Sequence, residues 1–201
     1  IGGSKISTKI NIIKNLAKKF NNIIIVGGMA NTMLKHTGIN IGKSICENDC
    51  GSLIKKIMDI ANKFNCKITC PVDVIVSKNV EGFGKSIDIK EINDDEMILD
   101  IGPKTISIIQ KIINNSNTVL WNGPAGYFEN PNFQNGTKSI LDIISQKTIN
   151  DKIFSVAGGG ETVAAINKFK KLDSFTFVST AGGAFLEYLE GKTLPGIQAI
   201  N

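Results

Sequence analysis

Ile153-Phe154-Ser155-Val156-Ala157-Gly158-Gly159-Gly160 is an apolar run that ends in three glycines, and a helix-like segment follows it. The same pattern recurs along the chain. Residues 23–26 run into Gly27-Gly28, and residues 97–100 into Ile101-Gly102-Pro103. Residues 118–121 run into Asn122-Gly123-Pro124, and residues 175–178 into Ser179-Thr180-Ala181-Gly182-Gly183. Continuous β-branched runs mark strands buried on both faces of a parallel sheet. Crossover helices return the chain to start each next strand, and right-handed crossovers bring the strand C-termini to one edge. The expected fold is α/β: a Rossmann-like three-layer domain with a mainly parallel sheet and helices on both faces. Glycine in such turns lets backbone approach a ligand closely, and helix starts offer unpaired N–H groups to anions. Five of these turns on one edge read as a phosphate-binding platform, and so as a nucleotide site.

Bulk properties fit one domain with a tail. The chain has 201 residues, 42% of them hydrophobic, enough for one sizeable core. No apolar stretch has the length of a membrane span, so no membrane partner is expected. The net charge is +5 and the pI about 9.0, yet arginine, the commonest reader of guanine edges, is absent. The excess is read as solvated lysine on helix faces, with no nucleic-acid partner. Cys46 and Cys50 are spaced like Cys66 and Cys70, as in a zinc site, but residues 67–70 read as a strand. Strand geometry separates its ends by roughly 13 Å, too far for one tetrahedral metal. Free thiols in a reducing cytoplasm are expected. The chain opens on Ile1 without a basic-plus-apolar leader and reads as cut from something longer, or as coming from a gene missing its start.

Ser7 is expected to cap a helix running to about Phe20, and residues 30–35 to form a short helix. Asp49 is expected to cap another, with Leu53, Ile54, Ile57, Ile60, Ala61 and Phe64 as its apolar stripe. Residues 68–77 read as extended with a break at Pro71, and residues 79–95 as a small hairpin or excursion. Strand and helix then alternate to Glu190, and Pro195 stops any helix from running into the apolar tail.

Several chemistries are disfavoured. Gly38-Ile39-Asn40-Ile41-Gly42-Lys43-Ser44 has three residues between its glycines where a Walker loop needs four, and no strand leads into it. No G-x-G-x-x-G follows a strand, against a dinucleotide enzyme, and no G-x-S-x-G occurs. His36, the lone histidine, reads as a surface residue without a triad. Lys5 and Lys9 are more informative: four apart, they can share one side of a helix start. Two ammonium groups near helix N–H donors suit a polyphosphate whose charge shifts during reaction.

Eight segments together carry a resemblance. They are Gly-Gly-Ser-Lys-Ile-Ser-Thr-Lys at 2–9, Val-Gly-Gly-Met-Ala-Asn-Thr at 26–32, Pro-Val-Asp at 71–73 and Leu-Asp-Ile-Gly-Pro at 99–103. Trp-Asn-Gly-Pro-Ala-Gly-Tyr-Phe-Glu follows at 121–129, then Gly-Gly-Gly-Glu-Thr at 158–162, Ser-Thr-Ala-Gly-Gly-Ala-Phe-Leu-Glu at 179–187 and Leu-Pro-Gly-Ile at 194–197. In that order they resemble the C-terminal, nucleotide-binding half of the phosphoglycerate kinase family over nearly the whole chain. The resemblance implies a nucleotide-binding domain over 1–193 and a tail, 194–201, that packs on an absent N-terminal domain. It implies reversible phosphoryl transfer between 1,3-bisphosphoglycerate and ADP, giving 3-phosphoglycerate and ATP in glycolysis, with Mg2+ carried by ADP or ATP.

The resemblance also implies roles. Lys5 touches the transferred phosphoryl, with Gly160 and Gly183 facing it, and Lys9 and Gly3 hold the nucleotide. Gly27 and Gly28 line the adenine slot beside Leu99. Asn122 and Pro124 lie along the nucleotide, and Glu129 accepts the ribose hydroxyls. Gly159, Gly160 and Thr162 cradle phosphates, Gly182 faces the transfer site, and Glu161 is the magnesium ligand. Two positions depart from the family pattern: Glu161 stands where Asp is usual, and Ala181 replaces the first glycine of a triple. A methyl there crowds the backbone if the position needs positive φ. The family's N-terminal half, which holds the three-carbon phosphoester, has no counterpart here, so the chain alone is expected to be inactive. A non-catalytic adenine-nucleotide-binding module is the alternative.

Overall fold

Isoleucine and valine dominate the short strands, and their alternation decides which helices cover them. The computed structural model describes residues 1–150 and 152–200. In chain order it contains α1 (Ile10–Leu16), β1 (Asn22–Ile24), α2 (Gly28–His36), α3 (Gly51–Lys63), β2 (Lys67–Thr69) and β3 (Asp73–Ser77). Next come β4 (Lys85–Asp88), β5 (Met97–Ile101), α4 (Pro103–Asn114), β6 (Thr118–Trp121), α5 (Asn135–Ile149) and β7 (Phe154–Gly158). The last are α6 (Gly160–Lys168), β8 (Phe177–Ser179), α7 (Gly183–Leu189) and α8 (Pro195–Gln198).

β1 pairs in parallel with β2, and β6, β7 and β8 form a parallel sheet in that order. Successive residues face opposite layers, as the strand period requires. Ile23 and Ile25 join a cluster built with α1, α2, α3 and α7, which Leu120 and Val156 also touch. Ile24, Val26, Val119 and Trp121 face a second cluster built with α4, α5 and α6. The expected three layers, with helices on both faces, are therefore present.

One of the five repeated runs is not part of the parallel set. β5 is antiparallel to β3, which also pairs antiparallel with β4, around Val74, Val76 and Ile87. Residues 79–95, expected as a small hairpin or excursion, contribute the single strand β4, whose partner β3 lies before them. An apolar run cannot by itself declare its direction: Met97, Ile98 and Leu99 of β5 are only half-buried and line a cleft.

The helix starts also differ from expectation. Ser7 does not cap α1; Ile6 is wholly buried, a turn follows, and the Ser7 backbone N–H and hydroxyl both donate to the Glu47 carboxylate. α1 therefore opens two residues later than expected and ends at Leu16. Asp49 sits at φ 56° instead of capping α3, whose expected stripe packs on the core through Leu53, Ile54, Ile57, Ile60 and Ala61, with Phe64 exposed beyond its end. α2 opens on Gly28, ahead of the expected residue 30. The four cysteines are free thiols, and His36 is exposed on α2. In the tail, Pro195 opens the short α8, and Ile197 and Ile200 are exposed. Asn201 lies outside the described residues. Among those described, no helix is long and apolar enough to cross a membrane.

Candidate functional site

Three backbone turns stack against one another because none carries a side chain at the contact. A Cβ on Gly2 would run into the Pro124 carbonyl, and one on Gly123 into the Gly2 backbone. One on Gly27 would stand 3.2 Å from the Gly3 nitrogen and oxygen. Gly27 and Gly123 also hold φ of 69° and 92°, which favours glycine. These turns border a cleft of about 500 Å³. Gly3, Gly27, Gly28, Leu99, Pro124, Glu129 and Glu161 line it, a cluster assembled from five separate chain segments.

Beneath the cleft, Asn122 binds the turns together. It is 2% exposed; its side-chain N–H donates to the Gly158 carbonyl at 2.6 Å, and its Oδ1 accepts from the Lys9 ammonium. Lys9 Nζ also donates to the Gly2 carbonyl at 2.9 Å. An ammonium has three donors, so one is left to point elsewhere. Burial pushes the Lys9 pKa down, and the nearby Glu161 carboxylate opposes that. Asn122 therefore positions Lys9 from below the cleft and does not lie along it. Thr162 is similar: its hydroxyl, 1% exposed, accepts the Gly123 N–H at 2.7 Å. What Thr162 leaves for a phosphate is its backbone N–H. Lys5 is exposed, as are Gly160 and Glu161 in the first turn of α6.

The helix starts divide into two kinds. The first N–H groups of any helix have no partner within it. α4 and α5 cover theirs with carboxylates of the chain itself. Asp73 accepts the backbone N–H groups of Lys104 and Thr105 at 2.9 and 2.7 Å, and Asp100 accepts that of Gly136 at 2.7 Å. The turn after β5, residues 101–103, is therefore no phosphate turn, because Asp73 already sits on the helix start it introduces. α2, α6 and α7 instead follow Gly27, Gly159 and Gly182, all at positive φ and none with a side-chain cap. In α2 the Met29 N–H is taken by the Gly3 carbonyl at 3.0 Å. In α6 and α7, Cβ atoms at Gly160, Gly182 and Gly183 would meet nothing within 4 Å. Those two starts are open to an anion. Ala181, just before Gly182, is not among the residues at positive φ, so its methyl costs the backbone nothing.

Burial pushes the Asp100 carboxyl up to about 7, against the N–H bonds from Gly136 and Ile101, which favour its charged form. Sequence reasoning does not reach Ile45, Lys43 or Tyr127, which line the same cleft. Ile45 packs over Gly28 yet remains 63% exposed. Its only signal was an apolar residue just beyond the Walker-like decoy. That stretch is indeed no P-loop: Gly42 packs on the Asn93 and Glu96 carbonyls, and no helix follows.

Comparison with known proteins matches residues 1–192 to the family model for phosphoglycerate kinase. The chain is 43% identical over 202 aligned residues to the phosphoglycerate kinase of Xanthobacter autotrophicus, covering 100% of this chain and 51% of that protein. It is 45% identical to that of Rhizobium meliloti over the same shares. Among solved structures, phosphoglycerate kinase from Coxiella burnetii superposes with a TM-score of 0.93 at 41% identity, over 98% of this chain and 50% of that one. The enzyme from Pyrococcus horikoshii gives 0.79 at 27% identity, over 99% and 50%. The chain thus spans about half the length of the relatives it matches.

Proposed function

The chain belongs to the phosphoglycerate kinase family, and from that premise we propose that it is the nucleotide-binding half of an enzyme moving a phosphoryl group between 1,3-bisphosphoglycerate and ADP. The single observation that supports this most is the contrast among helix starts. No side chain caps those of α6 and α7, whereas Asp73 and Asp100 cap those of α4 and α5.

The adenine is assigned to the cleft between Gly27-Gly28, Leu99 and Pro124, with Ile45 over one side and Glu129 toward the ribose. The phosphates then extend toward Lys9 and the amides at residues 160–162. Glu161 is a single exposed carboxylate beside them. That donor set suits magnesium, which keeps its waters and takes one or two carboxylates plus substrate phosphates. When bound, the ion would neutralise charge between phosphate groups. Lys9, tethered by Asn122 and Gly2, gives a fixed charge at the nucleotide phosphates. Lys5, which is exposed, is assigned to the phosphoryl group in transfer. Phosphoryl transfer needs such positioning and charge neutralisation more than covalent help. The reacting acyl phosphate would come from the other half of the longer enzyme. Since Ala181 adds no backbone strain, it gives no support to a module that has lost transfer chemistry.

Calorimetric titration of the folded chain with MgADP, MgATP and NAD tests the reading. Saturable binding of the adenine nucleotides in the micromolar to millimolar range, roughly 4–8 kcal/mol, is expected. No saturable heat with either would remove the site assignment, and tighter binding of NAD would favour a dehydrogenase-like domain.

A further inference from the structure

Lys168 closes α6, and a lysine in a last turn commonly serves the carbonyls of its own helix. Here the ammonium reaches out of the helix instead. It donates to Phe128 O at 2.6 Å and to Glu129 O at 3.2 Å, 40 and 39 residues back along the chain. It also stands 5.8 Å from the ring centroids of Phe128 and Phe169, within cation–π range. Among the described residues no other hydrogen bond reaches either carbonyl.

Those two carbonyls belong to the segment that presents Glu129 to the cleft. Its neighbouring N–H groups are settled elsewhere: Tyr127 donates to Leu99 O at 2.8 Å, and Phe128 to Gly126 O at 2.9 Å. The Phe128 ring is 5% exposed and belongs to the second hydrophobic cluster. On the far side, the Asn130 side-chain N–H donates to Val80 O at 2.7 Å. Glu129 itself is exposed, so the backbone beneath it decides where its carboxylate starts from.

We infer that Lys168 is a positioning residue for the ribose: by holding the Phe128 and Glu129 carbonyls it fixes the backbone from which the Glu129 carboxylate meets the sugar hydroxyls. This rests on the reading of Glu129 as the ribose acceptor. Lys168 gives no bond to the nucleotide and acts through Glu129. α6 then serves the nucleotide at both ends. Its open start at Gly160 is assigned to the phosphates, and its last residue, at the far end of a nine-residue helix about 13 Å long, sets the ribose segment. Without the ammonium, both carbonyls turn to solvent and the peptide between residues 128 and 129 is free to rotate. The sugar contact is then lost, while the adenine and phosphate contacts, carried by other segments, remain.

The test is calorimetric titration of residues 1–201 with the magnesium complexes of ADP and of 2′,3′-dideoxy-ADP, in the wild-type chain and in Lys168→Met. Methionine keeps an apolar stem against Phe128 and Phe169 and removes the donors. The wild-type chain should prefer ADP by about fivefold or more, as a hydrogen bond to a charged group gives. Lys168→Met should bring that ratio to about one by weakening ADP, with the affinity for dideoxy-ADP unchanged. A full preference kept in Lys168→Met overturns the inference and leaves Glu129 as the ribose acceptor. Equal weakening of both nucleotides also overturns it, since a scaffold role would give that result. No preference in the wild-type chain removes the ribose reading itself, and the role of Lys168 with it. Should Lys168→Met aggregate, Lys168→Gln, shorter and uncharged, is read in the same way.

Discussion

Asp100 and Asn122 are buried side chains whose hydrogen bonds hold backbone in place around the cleft. Asp100 is 1% exposed, and its pKa is pushed up to about 7 by burial. A carboxyl whose folded pKa lies above its unfolded value makes the folded state bind the extra proton. Its contribution to stability is complete below about pH 4 and is lost as pH rises to about 7, up to roughly 4 kcal/mol before solvent relaxation is counted. Asp100→Asn should flatten that descending limb between pH 4 and 7 in urea-unfolding series, though it leaves one of the Ile101 and Gly136 N–H groups facing an amide N–H. An unchanged slope would show that Asp100 is ionised in the fold throughout. For Asn122→Ala the expected loss is about 1–3 kcal/mol, because the buried Gly158 carbonyl is left unpaired. The Lys9 ammonium also loses a tether, so MgADP affinity should fall with it. A variant that is destabilised but binds normally would confine Asn122 to a scaffold role.

The helix starts are the elements through which the fold would meet its ligand, and glycines in neighbouring positions do different work there. Gly159 holds φ 98°, and a Cβ on it would stand 2.5 Å from Asn122 Nδ2. Gly160 is absent from the positive-φ set and has nothing within 4 Å. Gly159→Ala should therefore lower the thermal midpoint through backbone strain of about 1–3 kcal/mol. Gly160→Ala should raise it slightly, since alanine favours a helix by up to about 1 kcal/mol, while weakening nucleotide binding by blocking the approach. If Gly160→Ala binds MgATP normally, the phosphates do not lie on α6. The glycine turns at 27–28, 122–124 and 158–160 were legible because a backbone that must touch backbone admits no other residue. The direction of β5 was not, since pairing is set by distant partners that an apolar run does not name. Ser7 misled for a related reason: a good capping residue marks a helix start only if tertiary bonds, such as those from Ser7 to Glu47, do not claim it first. Ile45 went unseen because an exposed apolar residue has no local signal until a cleft forms beside it.

At the scale of the molecule, the cleft has one wall. Its lining carries glycine amides, Lys43 and the carboxylates of Glu129 and Glu161, with Lys5 and Lys9 on the adjoining turn. The chain has no arginine and a single histidine, His36, exposed on α2. A phosphorylated carboxylate substrate needs opposing cations to hold it in line, about 3 Å from the nucleotide's terminal oxygen and away from water. Nothing on this wall meets that need, and the curated relatives that carry the activity's name are about twice as long. Residues 1–201 should therefore bind nucleotide yet show no phosphoryl transfer from 1,3-bisphosphoglycerate in a coupled ATP assay. Adding the N-terminal half of a close relative, in trans or by fusion, should bring turnover back. In that restored enzyme Lys5→Ala should depress kcat far more than it raises the KM for ADP, because an unattached ammonium matters most where charge is in flight. Turnover by the purified 1–201 chain alone, proportional to its concentration and abolished by Lys5→Ala, would refute the one-wall account. It would place the three-carbon substrate on this half as well.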